Sequence, residues 1–239
     1  MRMKTAQILM ECLLEQGVDT VFGYPGGTIL NVYDEFELHG YKNKVRHILT
    51  AHEQGASHAA DGYARSTGKV GVCFSTSGPG ATNLTTGIAT AYYDSSPVVF
   101  ITCNVSENLI GKDSFQEVDI TGISMPITKC NYLVRDPEAL ADVMREAFAI
   151  ARSGRPGPVL IDVPIDMQQK SIPDFDYSRP VDIIGYKPRV QGHSLQIKKA
   201  VDALRTCKRP VICVGGGVFS AGAQKELCAF IEKLNLPAI

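Results

Sequence analysis

The sequence has no strong charge of either sign and no long apolar run. Its 239 residues carry a formal net charge of −1, so no overall field favours nucleic acid or an acidic membrane as a partner. No apolar stretch approaches the roughly 20 residues of a transmembrane helix. Residues 1–4 lead directly into a mixed polar and apolar helix and show no signal-peptide pattern. We therefore expect a cytoplasmic protein that binds neither nucleic acid nor a membrane.

The sequence also lacks Cys-x-x-Cys pairs, although it contains seven cysteines. An odd and scattered set of cysteines excludes a disulfide framework and a cysteine metal cluster. We expect reduced thiols that mostly fill the core, and no metal site. The seven positions are Cys12, Cys73, Cys103, Cys130, Cys207, Cys213 and Cys228.

Two nucleotide-binding fingerprints are missing as well. No Gly-Lys-Ser/Thr follows any glycine turn, which excludes a Walker loop. No Gly-x-Gly-x-x-Gly stands before an acidic residue about 20 positions later. The second absence argues against a Rossmann-type dinucleotide oxidoreductase.

Strand and helix patterns alternate along the first 165 residues. Unbroken apolar runs such as PVVFITC are typical of parallel strands that are covered on both faces. Asp136 and Pro137 form a helix-start signal, and an apolar stripe with helical spacing follows them. We predict the α/β class: a parallel six-stranded sheet with helices on both faces.

The composition changes after this region. Residues 166–193 have little periodicity and several prolines, which predicts a linker along the surface. From residue 194 a helix, the apolar run PVICVGGG and a second helix follow, and LPAI resembles the start of another strand. About 45 residues make a poor core of their own. We interpret 1–165 as one domain and 194–239 as the incomplete start of a second, Rossmann-like α/β unit.

Three polar or glycine-rich stretches each follow a predicted strand: YPGG, AHEQGA and TSGPGATN. Ligands of open parallel sheets bind at the carboxyl ends of the strands, where these stretches would meet. Glycines in two of them would let a ligand approach the backbone closely. Taken singly, each glycine turn is more often only a turn. Glu53 alone could simply be a carboxylate that a helix start stabilises by roughly 0.3–1 kcal/mol.

Together and in this order, the stretches resemble the amino-terminal part of the large catalytic subunits of the acetolactate synthase family, which depend on thiamine diphosphate. The motifs that carry the resemblance are VFGYPGG, HEQGASHAADGYAR, TSGPGATN, IGKDSFQEVDITGISMPITK and GRPGPVLIDVP. The resemblance covers residues 1–164 and continues more weakly into 194–239. It implies a pyrimidine-binding domain at 1–165 and condensation of 2-keto acids, such as pyruvate to acetolactate, in branched-chain amino acid biosynthesis.

The resemblance assigns roles to residues on the cofactor side of the site. It implies that Glu53 is catalytic: it hydrogen-bonds N1′ of the aminopyrimidine and favours the imino tautomer that activates the cofactor. It implies that Pro79 and Asn83 pack on the pyrimidine side. The remaining cofactor-binding residues that it implies lie near the thiazolium ring and are Pro25, Gly26 and Gly27. The neighbouring His52 is expected to be structural, with a hydrogen bond near the helix start.

The resemblance also assigns a substrate route. It implies that the Gln116 side chain reaches the reaction centre, and that Phe115 and Lys112 line the channel. Without the resemblance, Phe115 would read as a loop aromatic in a core and Gln116 as a solvated amide. Some channel positions depart from the family pattern, among them Thr28, which usually is alanine. These departures leave a related 2-keto acid decarboxylase or ligase open as the alternative reaction.

One family motif is missing: Gly-Asp-Gly…Asn, which binds the diphosphate through magnesium. The family's active site forms between two subunits, so the resemblance implies that this chain holds thiamine diphosphate on the pyrimidine side only. Mg²⁺ and FAD would belong to the complete enzyme, with a flavin contact near the glycine run VGGGVFSAGA. The chain alone would then be inactive.

The resemblance finally implies a homodimer or homotetramer. The helix after Glu53 is rich in glycine, alanine and serine, which suits close packing at an interface. A small regulatory subunit is a further partner that it leaves open. The alternative from a different class is a non-catalytic assembly or regulatory module with the same fold.

Overall fold

The computed structural model describes residues 2–173, 175–176 and 179–239. The chain divides into two compact units, Met1–Tyr186 and Lys187–Ile239. In the described ranges, no helix is both long enough and apolar enough to cross a membrane.

Helices and strands alternate through the first unit, as the sequence pattern predicts. In chain order the elements are β1 (Met3–Lys4), α1 (Thr5–Glu15), β2 (Thr20–Gly23), α2 (Leu30–Leu38), β3 (Arg46–Leu49), α3 (Glu53–Thr67), β4 (Gly71–Ser75), α4 (Pro79–Thr82), α5 (Thr85–Tyr93), β5 (Val98–Thr102), α6 (Ile120–Ser124), β6 (Cys130–Leu133), α7 (Leu140–Arg152), β7 (Val159–Asp162), α8 (Ile165–Gln168) and β8 (Ser171–Ile172). Short 3₁₀ turns precede α2 and α7, at Gly27–Ile29 and Pro137–Ala139.

Six of these strands form one sheet in the order β3-β2-β4-β5-β7-β6. Every neighbouring pair in it is parallel, so the predicted six-stranded parallel sheet is confirmed. The chain moves from β2 outward to β3 and then returns to place β4 on the other side of β2. The strand order therefore reverses between β2 and β4, which is where ligands bind in open α/β sheets.

Helices cover both faces of the sheet, because successive side chains of a strand point to opposite sides. Val72 and Phe74 of β4 face the core under α1, α2 and α7, whereas Cys73 between them faces the core under α3 and α5. Small residues lie where α3 packs against α5, and Gly87 shows why: a Cβ on it would lie 2.4 Å from the Cβ of Ser57. Glycine at this point lets α5 approach α3 closely.

The first unit continues through residues that the sequence assigned to a linker. Strand β8 pairs antiparallel with β1, Met3 opposite Ile172. Farther on, the Lys129 ammonium donates to the Tyr186 hydroxyl at 3.1 Å. These contacts hold the segment against the body of the unit. The predicted boundaries of the pyrimidine-binding domain, the linker and the second domain, at 1–165, 166–193 and 194–239, stay predictions.

The second unit contains α9 (Ser194–Thr206), α10 (Gly217–Ser220) and α11 (Gln224–Leu234). Two helices lie where predicted, but the predicted strand at PVICVGGG does not form over its full length. Residues 212–214 make backbone hydrogen bonds to residues 237–239, with one isolated parallel bridge, Ile212 to Ala238. A strand needs hydrogen-bonded neighbours along its length, and here one short segment pairs with another. Every described residue of this unit remains at least partly exposed.

The cysteines follow this division into two units. Cys12, Cys73 and Cys103 are buried in the first unit, and burial raises the pKa of each thiol. Cys130 is half-buried and packs against the core, whereas the three cysteines of the second unit are exposed. The prediction that the thiols fill the core therefore holds for the first unit and is wrong for the second. The reason is physical: a unit without a buried interior has no place for an apolar filler.

Candidate active site

The candidate site lies where the strand order reverses, at the carboxyl ends of β2, β3 and β4. The chain leaves β2 toward α2 on one face of the sheet, and leaves β4 toward α4 and α5 on the other. These opposite directions open a crevice between the YPGG turn after β2 and the TSGPG loop after β4. Glu53 reaches the same edge from the end of β3.

Glu53 is the first residue of α3, and the local sequence explains why the helix begins there. His52 has an extended backbone, and its Nδ1 accepts a hydrogen bond from the Gln54 amide at 3.1 Å. This contact caps the helix and confirms the structural role expected for His52. A carboxylate in the first turn also interacts favourably with the positive end of the helix dipole.

The Glu53 side chain is polar but buried, with 8% of its surface exposed. Its Oε2 accepts a hydrogen bond from Nδ2 of Asn83 at 2.9 Å. Within the part of the chain that the structure describes, Oε1 makes no hydrogen bond and lies beside Gly80, where an added Cβ would be 3.3 Å away. The carboxylate therefore has one oxygen held by an amide and one oxygen directed at a glycine.

Two glycines keep the loops of the crevice close together. A Cβ on Gly26 would lie 2.5 Å from the side chain of Thr76, so only glycine lets the turn after β2 touch the loop after β4. A Cβ on Gly80 would lie 2.6 Å from Cγ2 of Thr76. Gly27 differs, since a Cβ there would meet nothing within 4 Å. Pro25 is half-buried and Pro79 is exposed.

The KDSFQE segment joins the site through its backbone. Gln116 adopts the left-handed region with φ of 57°, and its carbonyl would lie 2.6 Å from a Cβ on Gly78. Its side chain is exposed, as is that of Lys112, and Phe115 leaves 87% of its surface exposed. The structure thus brings Gln116 beside the TSGPG loop, but it leaves the predicted channel residues in contact with solvent.

A polar network around Thr28 was not predicted from the sequence. The Thr28 hydroxyl contacts the Thr76 hydroxyl, the Ser77 amide and the Cys103 carbonyl oxygen. Thr28 stood out only as a departure from the family pattern. The signal that would have located the network is a threonine beside each of two glycine turns at the sheet edge, Thr28 after YPGG and Thr76 before SGPG.

A second unpredicted group is Asp162 at the end of β7. Its two carboxylate oxygens accept hydrogen bonds from the Thr102 hydroxyl and from Nδ2 of Asn104, each at 2.7 Å. Burial raises the pKa of Asp162 to about 6, and these two hydrogen bonds oppose the rise. A polar residue that ends an otherwise apolar strand run is the sequence signal for such a group.

The geometry fits one kind of ligand better than others. A buried carboxylate with a free oxygen, beside a glycine, suits a flat heterocycle that presents a ring nitrogen. Among the described residues, no cluster of three or more His, Cys, Asp or Glu side chains could hold a metal ion. The carboxylate and the adjacent glycine therefore suit an organic ring.

The chain matches two family models and is similar in sequence to several known proteins. Residues 3–123 match the family model for the thiamine pyrophosphate enzyme N-terminal TPP binding domain, and residues 197–239 match the model for the central domain of that family. The chain is 52% identical, over 98% of its length, to a probable acetolactate synthase large subunit of Methanocaldococcus jannaschii. It is 49% identical to an acetolactate synthase of Arthrospira platensis over 99% of the chain, and to the acetolactate synthase large subunit of Corynebacterium glutamicum over 100%. The matches cover 39%, 41% and 37% of these relatives, so the chain spans about two fifths of their length.

Proposed function

This chain belongs to the thiamine pyrophosphate enzyme family, and we propose that it is the pyrimidine-binding part of an acetolactate synthase large subunit. The observation that carries the proposal is the buried Glu53 carboxylate, held by Asn83 at the reversal of strand order. The proposed reaction is the condensation of two 2-keto acids, with pyruvate as the substrate that gives acetolactate.

The residues of the crevice fit the aminopyrimidine of thiamine diphosphate. That cofactor supplies the nucleophilic carbon for attack on a 2-keto acid. Glu53 would hold a proton at the pyrimidine nitrogen N1′, because its Oε1 has no hydrogen-bond partner among the described residues and faces Gly80. Asn83 fixes the other oxygen of the carboxylate and so sets the direction of the first. Pro25, Gly26, Gly27 and Pro79 would surround the ring.

We assign the diphosphate and Mg²⁺ to a different chain or domain. The support is that no cluster of metal-ligand side chains occurs in the described residues. FAD would likewise belong to the complete enzyme, with residues 214–223 of the second unit as its contact on this chain. Gln116, Phe115 and Lys112 are proposed to face the substrate once the diphosphate-binding domain is in place.

The alternatives are less well supported. All three relatives described above carry the name acetolactate synthase, which favours that reaction over a related 2-keto acid decarboxylase or ligase. A non-catalytic module would not need a buried carboxylate with an unbonded oxygen at the strand ends. The cytoplasmic location and a small regulatory subunit stay predictions.

We also propose that the chain associates through this face as a homodimer or homotetramer. Tyr24, Leu49 and Phe115 are large apolar side chains that are exposed near the site. Exposed apolar groups of this kind are commonly buried by association. Light scattering at tens of micromolar chain should give at least twice the mass of one chain, which is 25.9 kDa. The mass of a monomer would contradict the proposal.

The test of the function is complementation. The purified chain with thiamine diphosphate, Mg²⁺ and pyruvate should form no acetolactate, because the diphosphate contacts are missing. Adding a chain that carries the diphosphate-binding domain of a relative should restore acetolactate formation. The matched control is the same mixture made with a Glu53→Ala chain, which should remain inactive.

Either of two outcomes would count against this function. One is turnover of pyruvate by the unmixed chain at a rate above that of Glu53→Ala. The other is a mixture that forms a stable complex and binds thiamine diphosphate but forms no acetolactate from pyruvate.

A further inference from the structure

The Thr28 hydroxyl lies in the turn after β2 and contacts residues that follow β4 and β5. It donates to the Cys103 carbonyl oxygen at the end of β5, at 2.6 Å. It accepts from the Ser77 amide in the loop after β4, at 3.0 Å, and lies 2.9 Å from the Thr76 hydroxyl. Thr28 itself belongs to the turn after β2. One side chain therefore joins the two walls of the crevice to the next strand.

This hydroxyl has no hydrogen-bonding capacity left over. A threonine hydroxyl has one proton to donate and two lone pairs that accept. Since the proton goes to Cys103, the two lone pairs serve the Ser77 amide and the Thr76 hydroxyl proton. The Thr28 amide in turn donates to the Thr76 oxygen at 3.3 Å. A residue without a hydroxyl would leave the buried amide of Ser77 without a partner.

The backbone of Thr28 is fixed from a separate direction. Nε2 of Gln168 donates to the Thr28 carbonyl oxygen at 2.8 Å and to the Val163 carbonyl oxygen at 3.0 Å. The Gln168 side chain is fully buried in α8, under the sheet edge. The turn after β2 is thus tied at its backbone to the end of β7, and at its side chain to the loop after β4.

We infer that Thr28 is a positioning residue, whose hydroxyl holds the YPGG turn and the TSGPG loop at a fixed separation across the cofactor site. The loop that it holds leads within three residues to Gly80, and then to Asn83, the partner of Glu53. Loss of the hydroxyl would free this loop without touching the carboxylate itself. The inference deepens the proposed function, since the site that Thr28 shapes is the pyrimidine site.

Two substitutions separate the hydroxyl from the volume of the side chain. Thr28→Val keeps the shape but removes the hydroxyl, whereas Thr28→Ser keeps the hydroxyl and removes a methyl group. The matched control is Thr5→Val. Thr5 is also buried, and its hydroxyl donates to the Lys170 carbonyl oxygen at 3.0 Å and not to either loop of the crevice.

The first measurement needs no cofactor. Amide hydrogen exchange of Ser77 in the 239-residue chain should become about tenfold faster in Thr28→Val, as expected from the loss of one buried hydrogen bond. Thr28→Ser and Thr5→Val should leave this rate close to that of the unchanged chain. Equal Ser77 exchange in Thr28→Val and the unchanged chain would overturn the inference, whether or not the proposed reaction is found.

The second measurement uses the active complex with a diphosphate-binding partner chain. Thr28→Val should raise the KM for thiamine diphosphate by up to about tenfold with little change in kcat, and Thr28→Ser should restore the KM. An unchanged KM in Thr28→Val would also overturn the positioning role. If the complex with the unchanged chain is inactive, the proposed function fails, and the exchange comparison alone decides whether Thr28 holds the loops.

Discussion

Replacing Glu53 by glutamine should lower acetolactate formation by the active complex about 10²–10⁴-fold, the usual contribution of a positioned proton-transfer group. Glutamine has nearly the same shape and can still bond to Asn83, so the local packing is kept. It cannot hold a proton at a ring nitrogen as a carboxylate does. The loss should therefore appear in kcat, and the melting temperature should stay close to that of the unchanged chain.

The matched control for this result is Glu35→Gln. Glu35 is also a buried glutamate, with 2% of its surface exposed, but it lies in α2 and bonds to His39. This substitution should leave kcat near that of the unchanged complex. A Glu53→Gln complex that keeps most of its kcat, or a Glu35→Gln complex that loses as much, would contradict the assignment of Glu53.

The second large effect concerns stability and pH, and it comes from Asp162. Its pKa in the folded chain is raised to about 6 from 3.8, chiefly by burial. Between these two values the unfolded chain releases the proton while the folded chain keeps it. The folded state therefore holds more protons, and its free energy of unfolding falls as the pH rises from about 4 to about 6. The shift corresponds to about 3 kcal/mol.

Asp162→Asn should remove this dependence. An amide at this position can accept from Nδ2 of Asn104 and donate to the oxygen of Thr102, so both contacts are kept. The variant should gain about 3 kcal/mol relative to the unchanged chain between pH 4 and pH 7. Urea unfolding of both proteins across this range measures the difference, and contributions shared by both, such as that of Asp19, cancel. A constant difference would show that Asp162 ionises normally in the folded chain.

The fold could be predicted because it depends on local patterns. Apolar runs that are buried on both faces, separated by helices, specify a parallel sheet almost regardless of detail. The location of Glu53 followed from the same pattern, because the residue after a parallel strand must lie at the carboxyl edge. The prediction of a strand at PVICVGGG failed because it also rested on a local pattern alone. Formation of a strand depends on neighbouring strands, which a local pattern does not contain.

Two parts of the site could not be predicted, because each depends on which strands become neighbours. Thr28 meets Cys103 across 75 positions of sequence, and Thr102 meets Asp162 across 60. Neither pair has a periodic signal that links its members. Phe115 and Lys112 show a third case. Their predicted role requires a domain on another chain, so their exposure in this chain neither supports nor opposes it.

The central claim is that Glu53 holds a proton at N1′ of the cofactor's aminopyrimidine. The most direct measurement is the ¹⁵N NMR signal of thiamine diphosphate labelled at N1′, bound to the complex of this chain with a diphosphate-binding partner. The signal should move toward that of a protonated ring nitrogen in the unchanged complex, and should stay at the position of the neutral ring in Glu53→Gln. The same N1′ signal in both complexes would contradict the claim.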